Sequence, residues 1–245
     1  MHVPLRLLGA VATTAIVAAT TVGLAHGAVG KGSPTTAATT SSSSSTSSTT
    51  VSSTTTVPVS RGAIGLIGDS LSFQSAFDQQ DDLKAAHWAA ITLNAWLGRR
   101  IPYDASTQPP YSGLAALEQV RESTADPATW VVELGTNDVT EVGNNATAIR
   151  ALIEKMLAAI GPGHRIVWVN IHRGNQLAAS ATFNRVLAEI ARERTDLVVA
   201  DWATIATMPG YLLSDGIHLT TAGQAAFASL ITRTADEARS STVAR

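Results

Sequence analysis

The chain from Arg61 onward predicts a three-layer α/β/α domain with a five-stranded parallel sheet of flavodoxin-like strand order. Short apolar runs alternate there with segments in which apolar residues recur every three or four positions, as they do in amphipathic helices. Strands that alternate with helices form parallel sheets covered on both faces. Hydrophobic residues make up 45% of the 245 positions and charged residues 15%, which is enough apolar material for a sizeable core.

Five apolar runs are predicted as strands, and they cover residues 63–67, 89–95, 130–134, 165–171 and 197–201. A helix is expected from about Leu71, directly after a polar turn. Apolar spacing of three and four predicts further helices over residues 113–121, 146–160, 181–194 and 221–238, the last with Thr220 or Thr221 as its N-cap. Ligands of such sheets bind at the carboxyl ends of the strands. Functional residues are therefore expected directly after the strands.

Two segments of different composition precede this domain, which we place at residues 61–245. Residues 1–30 include an uncharged apolar run from 7 to 24, which predicts either a cleaved secretory signal peptide or a retained membrane anchor. Residues 31–60 are almost entirely Ser and Thr with Ala, Val and Pro, and they predict a disordered linker, either bare or O-glycosylated. Either interpretation of residues 1–30 places the domain outside the cytoplasm, as a secreted or cell-surface protein.

Composition also excludes several classes of function. The chain has no cysteine, which excludes a disulfide framework, a thiolate metal site and a cysteine nucleophile. A net charge of -2 from 17 basic and 19 acidic residues, without any basic run, gives no reason to expect nucleic acid as a partner. A metal shared by His172, His218 and Asp215 is disfavoured, because no histidine-rich pattern is present. We expect no metal, no cofactor and a monomeric protein.

Two motifs that follow predicted strands carry polar residues suited to chemistry. The first strand runs into Gly68-Asp69-Ser70-Leu71, where a serine can present its hydroxyl at the sheet edge with helix N–H groups turned toward it. The alternative is a serine that only caps the helix. The third strand ends in Gly135-Thr136-Asn137-Asp138. There the asparagine amide can donate to a developing oxyanion or simply close an Asx turn.

A third motif lies near the C-terminus, where Asp215 stands three residues before His218 on a turn that contains Gly216. A carboxylate so placed can accept a hydrogen bond from one ring nitrogen and fix the tautomer in which the other nitrogen takes a proton. The alternative is a capping aspartate and a surface histidine. A nucleophile, an oxyanion donor and an oriented base thus follow one another along the chain, each beside a strand end or a helix start.

Together these motifs resemble the SGNH (GDSL-type) hydrolase family. The resemblance implies that Ser70 is the nucleophile and that His218 is the base, oriented by Asp215. It also implies an oxyanion hole formed by the Asn137 side chain and the backbone amides of Ser70 and Gly98, the glycine that follows the second strand. No Gly-x-Ser-x-Gly sequence is present, so the nucleophile elbow of the larger α/β-hydrolase fold does not fit.

A finer resemblance involves residues 94–99, the pair Asp201-Trp202 and residues 215–220. These resemble extracellular SGNH domains attached to membrane acyltransferases that O-acetylate cell-wall glycans, although Asp138 stands where those domains carry glycine. The resemblance implies an exported serine esterase whose substrate is a small ester or an acetylated glycan. It would hydrolyse short-chain, above all acetyl, esters on cell-wall or other carbohydrate through an acyl-Ser70 intermediate. An O-acyltransferase to a cell-wall glycan and a non-catalytic glycan-binding module remain as alternatives.

Three further residues are candidates for substrate binding. His172 and Arg173 follow the fourth strand and could hold a substrate carboxylate or sugar, or be ordinary loop residues. Trp202 could be a sugar-stacking platform or a buried aromatic side chain.

Overall fold

The computed structural model describes residues 62–102, 108–123 and 126–240. The predicted signal peptide or membrane anchor at 1–30 and the predicted linker at 31–60 lie outside the described residues, and both stay predictions. No helix within the described ranges is long and apolar enough to cross a membrane.

The five strands form one sheet in which every neighbouring pair is parallel. They are β1 (Ala63–Gly68), β2 (Ala90–Ala95), β3 (Thr129–Glu133), β4 (Arg165–Val169) and β5 (Leu197–Ala200), in the order β2-β1-β3-β4-β5. This confirms the predicted flavodoxin-like sheet. β4 and β5 end earlier than predicted because the chain leaves the sheet there. The Ile171 N–H donates to the Asn184 side chain at 2.9 Å, and Asp201 caps the helix that follows β5.

The helices that flank the sheet are α1 (Ser70–Gln74), α2 (Ala76–Ala85), α3 (Gly113–Ser123), α4 (Val139–Val142), α5 (Ala146–Ile160), α6 (Leu177–Arg192), α7 (Trp202–Ala206) and α8 (Thr221–Ser240). Thr220 caps α8, since its hydroxyl accepts the Gly223 N–H at 3.0 Å, as predicted. A 3₁₀ turn at Gly174–Gln176 leads directly into α6, so this helix begins earlier than the predicted residue 181. The helices α4 and α7 were not predicted, because four or five residues are too few to show a helical period.

Both faces of the sheet are covered, which gives the predicted three layers. On one face α3, α5 and α6 pack against side chains that include the fully buried Trp130 and Trp168. On the other face α2, α7 and α8 pack against a second core that includes Val131 and Phe227. Neighbouring residues of β3 point to opposite faces, as the period of two of a strand requires. Each large apolar side chain buried in these cores stabilises the fold by about 1.5–3 kcal/mol.

The carboxyl ends of all five strands lie at one edge of the sheet, because the strands are parallel. The loops after β1, β2, β3 and β4 therefore meet there, and they contain the residues that the sequence motifs single out. The turn before α8 reaches the same edge, since the side chain of His218 contacts Ser70. This edge is the candidate active site.

Candidate active site

Ser70 is the first residue of α1, directly after the turn that closes β1. Asp69 is the N-cap of this helix, and its Oδ1 accepts the Leu71 N–H at 3.0 Å. The cap fixes the turn, and the Ser70 side chain is left pointing at the sheet edge. Its Oγ lies 3.2 Å from Nε2 of His218, within hydrogen-bond distance.

His218 is held by Asp215 in a single tight turn. Nδ1 of His218 lies 2.7 Å from Oδ2 of Asp215, while Oδ1 accepts the backbone N–H groups of Ile217 at 2.9 Å and His218 at 3.0 Å. The hydrogen bond from His218 is the main reason that the pKa of Asp215 falls to about 2. Because the ionised carboxylate can only accept, Nδ1 carries the proton and Nε2 is free to accept from the Ser70 hydroxyl. Gly216 adopts the φ of +69° that this turn needs.

Two contacts from other elements fix the position of this turn. The Gly174 N–H, in the loop after β4, donates to the Gly216 carbonyl at 2.9 Å. The two backbones are so close that a Cβ on Gly174 would lie 3.0 Å from the Gly216 oxygen and 3.1 Å from its Cα. On the other side, Oε1 of Gln74 in α1 accepts the Leu219 N–H at 3.2 Å. Neither Gly174 nor Gln74 was predicted as a site residue, because a lone loop glycine or helical glutamine gives no signal by itself.

The three predicted oxyanion donors come to the same edge of the sheet. Gly98 lies in the turn after β2 with a φ of +70°, a backbone conformation that suits glycine. The backbone N–H groups of Ser70 and Gly98 have no hydrogen-bond partner among the residues that the structure describes. Asn137 differs, because its Nδ2 donates to Oδ2 of Asp69 at 3.1 Å and to the Arg99 carbonyl at 3.2 Å. The asparagine thus ties the loop after β3 to the nucleophile turn and to the Gly98 turn.

A buried polar layer that was not predicted from the sequence lies beneath the nucleophile turn. Oε2 of Glu133, at the end of β3, accepts the backbone N–H groups of Asp69 at 3.0 Å and Ser72 at 3.2 Å. Burial raises the pKa of Asp69 to about 6 and that of Glu133 well above its ordinary value. The neighbouring Asp69 carboxyl raises the pKa of Glu133 further, which favours a neutral Glu133 beside Asp69. A glutamate at the end of the apolar third strand is the sequence feature that could have indicated this buried polar layer.

Arg99 completes this layer from the side of β2, and its side chain is buried. Its guanidinium donates to the carbonyl oxygens of Gly68 at 3.2 Å and Pro110 at 2.9 Å, and to the side-chain oxygen of Asn94 at 2.9 Å. Burial lowers its pKa to about 10, so the group remains charged at neutral pH. The Arg99 guanidinium therefore places a positive charge near the buried carboxyl groups of Asp69 and Glu133.

The three predicted substrate-binding residues have different positions. His172 and Arg173 are half-buried after β4, and a guanidinium nitrogen of Arg173 donates to the Thr136 carbonyl at 3.3 Å, beside Asn137. Trp202 is only 1% exposed, and its ring packs edge to face on Phe227 with centroids 4.9 Å apart. The interpretation of Trp202 as a sugar platform is therefore wrong. Asp201 caps α7, and the next residue of that helix points into the core.

This fold, with a serine, an asparagine and an aspartate–histidine turn at one sheet edge, defines an ester hydrolase of the SGNH type. The family model described as the GDSL-like lipase/acylhydrolase family matches residues 66–226, and the chain belongs to that family. Among curated proteins, none matches the sequence significantly.

Several solved structures share the fold at low sequence identity. The C-terminal catalytic domain of Streptococcus pneumoniae peptidoglycan O-acetyltransferase A is 18% identical, with a TM-score of 0.58 over 74% of this chain and 96% of that domain. A carbohydrate acetylesterase family member from Sinorhizobium meliloti is also 18% identical, with a TM-score of 0.58 over 73% of this chain and 99% of its own. The aryl esterase of M. smegmatis is 15% identical, with a TM-score of 0.57 over 72% and 99%. At such identities these likenesses show the fold alone.

Proposed function

We propose that this protein is an exported esterase that removes short acyl groups, above all acetyl, from carbohydrate through an acyl-Ser70 intermediate. One line of hydrogen bonds carries the proposal. It runs from Ser70 Oγ to His218 Nε2 at 3.2 Å, and from His218 Nδ1 to Asp215 Oδ2 at 2.7 Å. Such a line lets the imidazole take the hydroxyl proton while the carboxylate stabilises the imidazolium that forms.

The reaction then has two halves. In the first, Ser70 Oγ attacks the ester carbonyl carbon as His218 takes its proton, and collapse of the tetrahedral intermediate breaks the bond to the alcohol oxygen, which receives that proton. In the second, His218 takes a proton from water, and the hydroxide attacks the acyl-Ser70 carbonyl. Release of the acid returns the proton to Oγ. Asp215, whose pKa is lowered to about 2 by the hydrogen bond from His218, stays ionised throughout.

The charge that develops on the carbonyl oxygen would be stabilised at the turns after β1, β2 and β3. The backbone N–H groups of Ser70 and Gly98 are the donors without a partner in the described residues. The amide of Asn137 would have to exchange one of its present acceptors, Asp69 or the Arg99 carbonyl, for the oxyanion. A preorganised donor of this kind typically contributes about 3 kcal/mol to transition-state stabilisation.

The choice of acetyl, of carbohydrate and of export rests on separate observations. A carbohydrate acetylesterase family member and a peptidoglycan O-acetyltransferase share the fold, which motivates an acetylated glycan as the substrate. The apolar run at 7–24 and the Ser/Thr-rich stretch at 31–60 support an exported domain.

The test is acyl release by the purified protein from acetylated xylan, acetylated peptidoglycan, glyceryl triacetate and a series of 4-nitrophenyl esters from acetyl to palmitoyl. We expect the highest kcat/KM with acetyl esters and almost none with palmitoyl. The Ser70→Ala protein is the matched control. A maximum at eight carbons or more would replace the glycan-esterase proposal with an exported lipase.

The same assay separates hydrolysis from acyl transfer. Adding an unacetylated oligosaccharide at increasing concentration leaves the yield of free acetate unchanged if water is the acceptor. An O-acyltransferase would instead form acetylated sugar at the expense of acetate. A glycan-binding module without catalysis would release no acid from any ester.

A further inference from the structure

We propose that Trp96 and Phe73 form an aromatic subsite beside Ser70 that binds a sugar ring in the alcohol part of the ester substrate. The inference rests on the proposed function, because it assumes an acetylated carbohydrate. Neither residue was among the sequence-predicted site residues.

The two rings lie next to the nucleophile in the chain and in the sheet. Phe73 is three residues after Ser70 in α1, about one helical turn along. Trp96 directly follows β2, and its backbone N–H donates to the Gly68 carbonyl at 3.1 Å. That carbonyl is two residues before Ser70. The pair therefore borders the site on the side of the Gly98 turn.

The two rings meet edge to face and do not stack on each other. The centroids of Phe73 and Trp96 are 6.2 Å apart, and the ring planes are inclined at 76°. In such an edge-to-face arrangement, each ring keeps at least one broad face that its partner does not cover. Phe73 is 47% exposed, Leu97 beside Trp96 is 51% exposed, and Trp96 is half-buried. Exposed apolar side chains that cluster mark binding surfaces more often than scattered ones do.

The shape of the surface favours a sugar ring over a long acyl chain. A pyranose has a face of C–H groups that packs on a flat aromatic ring, while its hydroxyls stay in water. An acyl chain needs a continuous apolar groove to gain about 0.8 kcal/mol per methylene, and two rings inclined at 76° form a corner instead. An acetyl group is too short to need this surface, so the surface serves the alcohol part.

Tryptophan fluorescence gives a direct readout of binding. The chain has five tryptophans, and the other four, Trp88, Trp130, Trp168 and Trp202, are buried. Trp96 is thus the indole that a sugar can contact. In a Ser70→Ala background, titration with an acetylated xylo-oligosaccharide should change the emission, and the change should vanish with Trp96→Phe. A change that persists unaltered in Trp96→Phe would overturn the proposal.

Kinetics supply the second test, with the acetylated xylo-oligosaccharide and glyceryl triacetate as substrates. We expect Trp96→Ala to raise KM for the oligosaccharide about 10-fold with little change in kcat, a loss typical of one stacking contact of about 1.4 kcal/mol. Activity on glyceryl triacetate should change less than about twofold, and Phe73→Leu should show the same pattern more weakly. The matched control is Phe77→Ala, which removes an aromatic side chain of α2 that is 85% exposed.

The outcomes separate the two proposals. Three outcomes would overturn the subsite while the esterase proposal stands. Trp96→Ala could lower kcat/KM equally on the oligosaccharide and on glyceryl triacetate, or only on 4-nitrophenyl octanoate. Alternatively, Phe77→Ala could raise KM for the oligosaccharide as much as Trp96→Ala does. Wild-type activity on glyceryl triacetate without activity on any acetylated sugar would overturn the subsite together with carbohydrate as the substrate, and would leave an esterase for small esters. A wild-type protein inactive on every ester would remove both proposals.

Discussion

Glu133 supports the nucleophile turn from the neighbouring strand, with its Oε2 3.0 Å from the backbone nitrogen of Asp69. The same oxygen accepts the Ser72 N–H at 3.2 Å, so one carboxyl group holds the backbone on both sides of Ser70. Two strands that are adjacent in the sheet are thereby joined at the point where the chemistry is proposed to occur.

Two replacements of Glu133 distinguish the effect of its hydrogen bonds on activity from the effect of its charge. Gln can accept the same two N–H groups and can donate to Asp69 through its amide, so Glu133→Gln should keep most of the activity. Glu133→Leu leaves two buried N–H groups without an acceptor, which costs about 1–3 kcal/mol each, and turnover should fall with stability. Urea unfolding and kcat on glyceryl triacetate check both variants. A Gln variant as impaired as the Leu variant would contradict a neutral, hydrogen-bonding role.

The proposed nucleophile and base are expected to act as one unit. Ser70→Ala should leave a folded protein with esterase activity near background, and His218→Ala should be about as severe, because members of such a unit are non-additive. Asp215→Asn should be somewhat milder. Circular dichroism confirms the fold, and kcat/KM measures the loss. More than about a tenth of wild-type activity in Ser70→Ala would rule out this nucleophile.

Asn137→Ala should lower turnover by about 10²–10³ while KM changes little, because an oxyanion donor acts in the transition state. The same substitution removes the hydrogen bonds to Asp69 and to the Arg99 carbonyl, so the melting temperature should be measured beside the kinetics. Normal turnover with a raised KM would instead place Asn137 in substrate binding.

Stability should fall as the pH rises from about 4 to 7. Burial raises the pKa of Asp138 to about 7 and that of Asp69 to about 6, above the ordinary aspartate value of about 3.9. In this window the folded state binds more protons than the unfolded state, so the free energy of unfolding decreases with pH, by at most about 1.4 kcal/mol per unit for each group.

Asp138→Asn tests this pH dependence. The side-chain oxygen of Asn can still accept the Ile101 N–H, which Oδ1 of Asp138 accepts at 3.0 Å, but the titration is gone. Free energies of unfolding in urea are measured at about pH 4.5, 5.5, 6.5 and 7.5. Plotted against pH, they should fall less steeply for Asp138→Asn than for the wild type. An unchanged slope would mean that Asp138 does not titrate in this range.

Gly174→Ala should lower activity although residue 174 makes no proposed contact with substrate. The added Cβ would lie 3.0 Å from the Gly216 carbonyl oxygen, and relief of that contact moves the turn that holds His218. A displacement of about 1 Å can reduce a rate by 10², so a loss of at least about 10-fold in kcat is expected. Asn175→Ala, one residue further and exposed, is the control. Equal activity of the two variants would show that the turn is not held by Gly174.

The motifs predicted from sequence are those whose partners lie within a few residues. Asp215 and His218 form a local turn, and the strands reveal themselves by runs of apolar residues. Glu133 and Arg99 could not be predicted in the same way, because their partners lie in other elements. Gly174 belongs with them, since its contact with Gly216 forms only in three dimensions. The sequence left a sugar platform and a buried side chain open for Trp202 for a related reason, because it does not tell which side of a short helix faces the core.

The contact between Ser70 and His218 joins residues 148 positions apart in the chain. The proposed nucleophile lies at the first strand and its base immediately before the last helix, so the reacting pair exists only when both ends of the domain have been folded onto the sheet. Closure of so long a segment costs conformational entropy, and contacts between residues so far apart in sequence slow folding. A nascent chain would therefore carry an inert serine until the C-terminal part of the domain has folded against the sheet.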